Sequence, residues 1–356
     1  MLGAGIAVGF VSRFISHSPV LARILGSVGG AVILGILIAS VLLLPYEVAE
    51  AATKLVRRLR RAKGSERVEV PAEVPSAPRR SFLKQAAVGG AASIGMGASV
   101  YGAFVGRHDF TLETIPIRLA KLPRTLDGLS VLQLSDLHVG LYVGEYEFAR
   151  ALEIARRAKP DLIVLTWDLV DHDVRYAPSL GRFARALREM APRGLFAIPG
   201  NHDYYAGVAP VVSALREAGA EVLTNRHVTL GDGGGRLVLA GLDDVMAPGF
   251  GGAGPSVEQA FRGADPDLPR VLLSHNPSYF PNSQASADLT LSGHTHGGQI
   301  TLFINPAELV LSHGYVRGLY RHGESLLYVN RGLGTAGPPA RVGSAPEITK
   351  LVLTTS

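Results

Sequence analysis

Aspartate, asparagine and histidine residues follow five short apolar segments of this 356-residue chain, each time just after the segment ends. The motifs are Ser135-Asp136-Leu137-His138, Trp167-Asp168-Leu169-Val170-Asp171, Pro199-Gly200-Asn201-His202-Asp203, His275-Asn276 and Gly293-His294-Thr295-His296-Gly297. Imidazole and carboxylate groups together suit manganese, iron or zinc. Because the set holds more donors than one ion can use, it predicts two divalent metal ions that share a carboxylate.

A pair of metal ions suits in-line attack on phosphorus. Two ions about 3.5–4 Å apart polarise a bridging water and lower its pKa, which supplies hydroxide at neutral pH. They also neutralise the charge that builds on the phosphoryl oxygens. The sequence has no cysteine, which excludes disulfides, zinc–thiolate sites and thiol nucleophiles. It also lacks a Gly-Lys-Ser/Thr phosphate loop and a Gly-x-Ser-x-Gly elbow.

The elements that must position these residues are those of an α/β domain. Apolar runs predict strands at 131–134, 162–166, 195–198, 238–242, 271–274 and 289–292, with later strands at 325–329 and 348–353. Helical spacing predicts helices at 144–159, 178–190 and 208–218. Ligands of α/β sheets bind beyond the carboxyl ends of the strands, so the five motifs are expected to converge.

The order of the motifs resembles the calcineurin-like metallophosphoesterases. That family's signature runs Asp-x-His, Gly-Asp-x-x-Asp, Gly-Asn-His-Asp/Glu, His and Gly-His-x-His, and the likeness covers roughly residues 110–356. The resemblance implies a four-layer αββα sandwich of two mixed sheets with helices outside. It also implies two bound divalent metal ions, which can be Mn, Fe or Zn, and a phosphoester substrate.

The same resemblance assigns roles to individual residues. It implies that the first metal is held by Asp136, His138, Asp168 and His296. With Asp168 bridging, the second metal would be completed by Asn201, His275 and His294. His202 would lie just outside the metals and act on the leaving group or on transition-state charge. Asp203 would orient His202, as carboxylates orient histidines around metal sites.

A narrower resemblance is to a membrane-associated bacterial subgroup that carries an N-terminal helix or a twin-arginine signal. The motifs that carry it are Gly293–Ile300, Tyr328–Thr335 and Ala345–Ile348. The subgroup is similar to phosphodiesterases, including those that cleave the pyrophosphate of a UDP-diacylglucosamine lipid precursor. The resemblance therefore implies a phosphodiester or pyrophosphate substrate, including lipid-linked ones.

One position departs from the family pattern. Trp167, the only tryptophan of the chain, stands where the family has glycine before the bridging aspartate. Glycine there permits close backbone approach or an unusual φ. Two hypotheses follow: an active hydrolase in which Trp167 is tolerated, or a catalytically impaired, membrane-anchored binding or scaffold protein of the same fold.

Three further features have competing interpretations. Asp171 is either an acceptor behind the metal ligands or a helix N-cap. The glycine-rich segment 245–255 is either a mobile lid or a plain loop. Gly332-x-Gly334-x-x-Gly337 spells a dinucleotide fingerprint, but the following Pro338-Pro339 prevents the helix that would receive a pyrophosphate. It is therefore predicted to be a turn near the site mouth.

The N-terminal third carries the membrane signals. The segment 24–44 has 21 uncharged residues, enough to span a bilayer as a helix. Residues 1–11 are apolar but too short to span alone. A second, weaker apolar stretch at 86–104 follows Arg79-Arg80-Ser81-Phe82-Leu83-Lys84, which is similar to a twin-arginine export signal. An ordinary second helix with a positive flank is the alternative.

These signals predict a topology and four regions. The regions are a membrane segment at 1–50, a basic cytoplasmic loop and linker at 51–85, a second apolar segment at 86–106 and the metallophosphoesterase domain at 107–356. The basic cluster at 54–63 is expected in the cytoplasm of a bacterium, with the catalytic domain outside. Arg13 and Arg23 fit that orientation less well.

The charge distribution excludes one class of function. Residues 1–109 hold 13 basic and 6 acidic side chains, whereas the rest of the chain holds 22 basic and 24 acidic ones. The positive charge therefore belongs to the membrane-associated part. Without a basic face on the catalytic domain, no nucleic-acid partner is expected.

Overall fold

The computed structural model describes residues 18–62, 77–166, 168–232, 234–302 and 304–355. The apolar segment 1–11, Arg13 and Trp167 lie outside the described residues. The helices are α1 (Pro19–Ala62), α2 (Ala77–Phe104), α3 (Glu145–Ala158), α4 (Ala177–Arg188), α5 (Asn201–Ala206), α6 (Val208–Glu217), α7 (Val257–Ala260), α8 (Phe280–Ser283) and α9 (Pro306–Val310).

Two mixed six-stranded sheets form the centre of the α/β domain at 107–356. Their strands are β1 (Thr111–Arg118), β2 (Ser130–Leu134), β3 (Leu162–Thr166), β4 (Leu195–Ile198), β5 (Ala220–Val222), β6 (Arg226–Asp232), β7 (Gly235–Gly241), β8 (Arg270–Leu273), β9 (Leu289–Ser292), β10 (Gly318–His322), β11 (Ser325–Val329) and β12 (Glu347–Thr354). The first sheet has the order β1-β12-β2-β3-β4-β5, and the second has the order β10-β11-β9-β8-β7-β6.

The sheets pack face to face with helices on the outside. Leu162 and Phe196 of the first sheet share a buried apolar cluster with Leu239 of the second. On the outer face of the first sheet, Phe148 of α3 and Leu180 of α4 belong to a separate cluster with the strands. The short helices α7 and α8 flank the second sheet. This helix–sheet–sheet–helix order confirms the predicted four-layer sandwich.

The predicted strands match the buried centre of each sheet, and the unpredicted strands lie at the edges. β3, β4, β9 and β11 have the predicted bounds. The strands without an apolar signal are β1, β5, β6 and β10, which are the four edge strands. An edge strand borders only one neighbour and is partly solvated, so it does not need a continuous apolar run.

Helices α1 and α2 form an antiparallel hairpin. Small residues spaced four apart face each other, with Gly35 of α1 against Met96 and Ser99, and Gly95 of α2 against Gly35 and Ala39. Small residues let two helix backbones approach closely, as they do in membrane helix pairs. Both helices are long and apolar enough to cross a membrane. The helices also extend into the predicted linker, because 51–62 continues α1 and 77–85 begins α2.

The hairpin is attached to the α/β domain by an ion pair between a half-buried arginine and a buried glutamate. Arg23 of α1 donates to the Glu147 carboxylate at 2.5 Å and to the Tyr142 carbonyl at 2.8 Å. The second oxygen of Glu147 accepts the Gly144 amide at 2.9 Å, which caps α3. The positive charge of Arg23 is therefore paired with the Glu147 carboxylate of the α/β domain. This contact accounts for a charged residue at the domain end of α1, and the topology stays a prediction.

Breaking this ion pair should loosen the hairpin from the domain. Arg23→Gln leaves the buried Glu147 carboxylate without its cation, and we expect a loss of about 1–3 kcal/mol after allowing for the partial exposure of Arg23. The thermal unfolding of the full-length protein in detergent measures it. Arg182→Gln is the matched control, because the Arg182–Glu145 pair is exposed and should matter by less than about 0.5 kcal/mol. Equal effects of the two changes would contradict the assignment.

Candidate metal centre

The structure brings the predicted ligands together at the carboxyl ends of strands from both sheets. Asp136 and His138 follow β2, Asp168 follows β3, and Asn201 begins α5 directly after β4. From the second sheet, His275 follows β8, and His294 and His296 follow β9. All are buried apart from His294, which is partly buried. The convergence expected from the strand tips is therefore present.

The backbone is strained where these residues lie. The left-handed region that most side chains avoid is occupied by Asp136 (φ 50°), His138 (φ 47°), Asp168 (φ 46°), His294 (φ 71°) and His296 (φ 51°). Each such residue costs free energy that the surrounding structure must offset. Strained conformations concentrated in one cluster are typical of a functional site, where geometry matters more than stability.

The first group of donors consists of Asp136, His138 and His296. Their ligand atoms all lie within 4.8 Å of one another. The Nε2 atoms of His138 and His296 are 3.1 Å apart, and His296 Nε2 is 3.5 Å from Asp136 Oδ1. Asp136 is fixed by the His294 amide, which donates to its Oδ1 at 2.9 Å. Two imidazole nitrogens and a carboxylate oxygen thus face one point.

The second group consists of Asp168, His275 and His294, again within 4.8 Å. His294 Nδ1 lies 2.9 Å from His275 Nε2, and the same Nε2 lies 2.9 Å from Asn201 Oδ1. The two groups are joined by Asp168. Its Oδ2 lies 3.4 Å from His275 Nε2 and 3.7 Å from His138 Nε2.

A divalent ion in each group fits the donor chemistry. Buried imidazole nitrogens face each other at about 3 Å in both groups, and a divalent cation can accept a lone pair from each ring once the rings are deprotonated. The carboxylate of Asp168 reaches both groups, as a bridging ligand must. Its Oδ1 is held by the His202 amide at 2.9 Å, which leaves Oδ2 directed at the histidines. The donor set is that of manganese, iron or zinc sites.

The electrostatics of the cluster keep two histidines ready to bind metal. Burial and the charge of His275 lower the pKa of His294 to about 3. Burial, His138 and the Arg341 guanidinium hold the pKa of His296 well below its usual range. Both imidazoles are therefore neutral at physiological pH, which is the form that ligates metal.

His275 behaves differently in the metal-free chain. Burial opposes its charged form, but the carboxylates of Asp168 and Asp136 outweigh burial and raise the pKa of His275 to about 9. The same histidine charge contributes to holding the pKa of Asp168 well below its usual range, against the effect of burial. A metal ion must therefore displace a proton from His275 when it binds.

Asp171, rather than Asp203, contacts His202. The Nδ1 of His202 lies 3.3 Å from Asp171 Oδ1 and 3.2 Å from the Asp171 carbonyl oxygen. The prediction that Asp203 orients His202 is therefore corrected. Asp171 also lies 3.3 Å from His138 Nδ1, which favours its interpretation as an acceptor behind the ligands. The N-cap role belongs to Asp173, which accepts the Arg175 amide.

Asp203 instead binds two ligand-bearing loops to each other. Its buried carboxylate accepts the amides of Leu169 at 3.1 Å, Val170 at 2.9 Å and Gly200 at 2.9 Å. The first two amides follow Asp168, and the third precedes Asn201. Burial and the Asp168 charge raise the pKa of Asp203 to about 6, against the effect of these amides. Asp203 therefore holds the loop after Asp168 against the loop before Asn201, which explains why an acidic residue occupies this position of the motif.

Arg341 is a site residue that no sequence motif predicts. It is fully buried, and its guanidinium donates to the carbonyls of Gly334, Arg331 and Ser344 at 2.9, 2.8 and 3.2 Å. The same group lies 3.3 Å from His296 Nδ1. Although burial lowers the pKa of Arg341 to about 10, the side chain stays charged at neutral pH. The only sequence signal was a charge isolated within a proline- and glycine-rich stretch.

Glycines allow the loops to approach the ligands. Gly332 has φ 74°, and a Cβ there would lie 2.7 Å from the Cβ of Asp136. The amide of Gly334 donates to the Asp136 carbonyl at 2.7 Å. The 332–337 segment is a turn against the metal centre, as predicted, and in the described residues it opens no helix.

The glycine-rich segment 245–255 lies beside His202. Asp243 anchors it by accepting the amides of Ala253 and Gly254 at 3.1 and 3.0 Å. The ring of its exposed Phe250 lies 5.2 Å from the Tyr205 ring, and Tyr205 lies 5.3 Å from the His202 ring. These aromatic rings form a rim next to His202.

Comparison with known proteins agrees with this geometry. A family model described as calcineurin-like phosphoesterase matches residues 129–298. A "Transmembrane protein with metallophosphoesterase domain" of Danio rerio is 35% identical over 266 residues, 72% of this chain and 60% of that protein. An uncharacterized metallophosphoesterase of Bacillus subtilis (strain 168), YkuE, is 32% identical over 283 residues, 77% of this chain and 97% of that protein.

A 5'-nucleotidase precursor from Thermus thermophilus aligns in structure with a TM-score of 0.39 and 15% identity, over 64% of this chain and 54% of that one. The chain belongs to the calcineurin-like metallophosphoesterase family, which is typically dimetal-dependent. Membership of this family supports a hydrolase. Membrane association is supported by the relatives that are named transmembrane proteins and by the two long apolar helices of this chain. The chain spans 60% of the length of the animal relatives in Danio rerio and Bos taurus.

The raised pKa of His275 predicts pH-dependent metal binding. Below pH 9 the metal must displace the His275 proton, so the apparent association constant for Mn²⁺ should rise by about tenfold per pH unit from pH 7 to pH 9 and level off above. Calorimetric titration of the metal-free, full-length protein in buffers of different ionisation enthalpy measures the affinity and the released proton. An affinity independent of pH across this range would contradict the assignment.

Gly293 is predicted to be essential for metal binding. A Cβ at Gly293 would collide with Ser135 Oγ and Asp136 Oδ2, so Gly293→Ala must displace the Asp136 carboxylate. We expect at least tenfold weaker Mn²⁺ binding and about 1–3 kcal/mol lower stability. Gly249→Ala is the control, because nothing lies within 4 Å of its Cβ position. Full metal affinity in Gly293→Ala would contradict the role of Asp136.

Proposed function

We propose that this chain is a membrane-tethered dimetal phosphohydrolase that acts on phosphodiesters or pyrophosphates at the membrane. The observation that carries the proposal is the position of Asp168 between the two donor groups, within 3.4 Å of His275 and 3.7 Å of His138. A carboxylate shared by two histidine clusters is the donor arrangement of a binuclear phosphoesterase.

The residues divide between the two metals as follows. Asp136, His138, Asp168 and His296 hold the first, and Asp168, Asn201, His275 and His294 hold the second. When bound, the ions supply Lewis-acid activation of water and neutralise charge on the phosphoryl group. Mn, Fe and Zn each fit these donors, and the identity of the bound metals is part of the experiment below.

His202 is proposed to donate a proton to the leaving oxygen. Burial disfavours its charged form, but Asp171 and Asp168 outweigh burial and raise the pKa of His202. At neutral pH, a larger fraction of His202 is therefore in the imidazolium form than of a free histidine. Because Asp171 binds Nδ1, the Nε2 proton is the one available for transfer.

The tether and the charges suggest where the substrate is met. Arg23 joins the domain at one end of the hairpin, whereas the basic residues Lys54, Arg57 and Arg58 lie toward the other end of α1. Under the positive-inside rule the catalytic domain then lies outside the cytoplasm. In a bacterium, this is the outer face of the cytoplasmic membrane, reached by insertion of the hairpin or through the twin-arginine-like Arg79-Arg80.

The alternative is a catalytically impaired binding or scaffold protein of the same fold. It is favoured by one observation, the substitution of the family's glycine by Trp167 next to the left-handed Asp168. Metal content and hydrolysis of bis-p-nitrophenyl phosphate by the full-length protein distinguish the two functions. Turnover that is lost in His296→Ala supports the hydrolase, whereas no turnover until Trp167→Gly supports the alternative.

His202 should affect chemistry more than metal binding. We expect His202→Gln to lower kcat by about 10²–10⁴ on a phosphodiester with an alkoxide leaving group, because a general acid is lost, and much less on bis-p-nitrophenyl phosphate, whose phenolate leaves without a proton. Metal stoichiometry should stay at the wild-type value, because His202 holds Asp168 through its main-chain amide. Loss of bound metal in His202→Gln, measured by elemental analysis, would mean that His202 is itself a ligand.

A further inference from the structure

An apolar groove lies between the membrane hairpin and the loop that follows the Gly-His-x-His motif. The cavity has a volume of about 400 Å³, and every described residue that lines it is apolar. One wall comes from α1 and the other from the loop, and the residues that face each other include Leu34, Ile38, Leu42, Ile300, Leu302 and Ile304.

The wall from α1 belongs to the predicted membrane span. Residues 34–42 extend over about 12 Å of helix and lie within the apolar segment 24–44. Hydrocarbon is the surrounding of such a helix, so a lipid chain can enter the groove directly. The opposite wall continues into an exposed apolar surface, in which Ile304 is 63% exposed, Leu309 79% and Val310 80%. Contiguous exposed apolar groups of this kind mark an interaction surface.

The loop is fixed to the rest of the domain by main-chain and side-chain hydrogen bonds. The Thr301 amide donates to the Val342 carbonyl at 2.7 Å, and the Leu311 amide donates to the Ala307 carbonyl at 2.9 Å. The loop is also tied to the metal centre, because Asn305 donates to the Gly297 carbonyl at 3.3 Å, one residue after His296.

A second cavity borders the metal centre and lies across helix α9 from the groove. It has a volume of about 290 Å³ and is lined by the ligand His294 together with Asn276, Ser278 and Tyr315. Helix α9 separates the two cavities: Pro306 at its start lines the apolar groove, and Val310 at its end lines the polar cavity. A molecule with a polar phosphoester and a hydrocarbon tail matches this succession of surfaces.

We propose that the groove binds the acyl or alkyl chain of the phosphoester whose phosphorus the metal centre attacks. The substrate class is therefore an amphiphile drawn from the bilayer, with its chain between α1 and the side chains of Ile300, Leu302, Ile304 and Pro306. This inference rests on the proposed function and adds to it the chemical class of the substrate and the surface that selects it.

The test uses alkyl 4-nitrophenyl phosphodiesters with methyl, hexyl and dodecyl chains. The full-length, Mn²⁺-loaded protein in detergent is expected to gain about tenfold or more in kcat/KM from methyl to dodecyl, because burial of each added methylene is favourable. Leu302→Gln, which puts an amide into the groove, should reduce this dodecyl-to-methyl ratio at least threefold.

Leu309→Gln is the matched control. Leu309 is more exposed than Leu302 (79% against 37%) and lies on the same segment, but it does not line the groove. Its dodecyl-to-methyl ratio should remain within twofold of the wild type. An equal fall of the dodecyl-to-methyl ratio in the two variants would mean that the whole segment contacts detergent or lipid without a specific binding groove. That result would overturn the proposal.

Failure of the inference and failure of the proposed function give different results. Hydrolysis of the methyl ester without any preference for chain length overturns the inference alone. No hydrolysis of any ester overturns the proposed function, and cross-linking then decides the groove. A dodecyl phenyl phosphodiester with a terminal diazirine should label residues 34–42 and 300–306, with less labelling in Leu302→Gln. Absence of label from both segments overturns the groove.

Discussion

The electrostatic constraint on this fold is the burial of two carboxylates, Asp136 and Asp168, at a point where both sheets end. Buried carboxylates are stable only when cations or many donors face them. Here they face imidazoles, main-chain amides and one buried guanidinium, Arg341, which itself is held by carbonyl oxygens. Two divalent ions would complete the charge balance, and this explains why the histidines converge at about 3 Å instead of spreading apart.

The surrounding structure holds the ligands in conformations that they would not choose. The backbone adopts a left-handed conformation at Asp136, Asp168 and His296, and it therefore turns sharply after the strand that precedes each of them. Glycine at 293 and 332 leaves the room that Asp136 needs. Asp203 fixes the turns after β3 and β4 to one another, and Arg341 fixes the turn after β9. Local strain is therefore offset by hydrogen bonds from loops far apart in sequence.

The buried strands and the metal-ligand motifs could be predicted from the sequence, because each has a local pattern of residues. Contacts between residues far apart in the sequence could not be predicted in this way. The central strands β3, β4 and β9 were predicted at their bounds because both faces of each are buried. The edge strands were missed because solvent or a single neighbour relaxes their composition. Sequence spacing does not show whether Asp171 or Asp203 contacts the His202 ring. Arg341 was missed because its partners are main-chain carbonyl groups, which any residue can supply and which therefore produce no sequence motif.

Both helices of the apolar hairpin contact the α/β domain. Arg23 packs against the loop after His138, and the carbonyl of Gly102 in α2 accepts the Arg341 amide at 3.0 Å, so both helices touch residues that support the metal centre. An enzyme that meets its substrate in a bilayer benefits from such contact, because the bilayer then fixes the orientation of the site. In the proposed function, the groove beside α1 would hold the lipid chain of the substrate next to that site.

The most direct test is an electron paramagnetic resonance titration of the metal-free, full-length protein with Mn²⁺. A shared Asp168 predicts that two Mn²⁺ ions bind per chain and that the final spectrum is that of an exchange-coupled pair, with the ions about 3.5–4 Å apart. Saturation at one Mn²⁺ per chain, or two ions with uncoupled spectra, would contradict the binuclear centre.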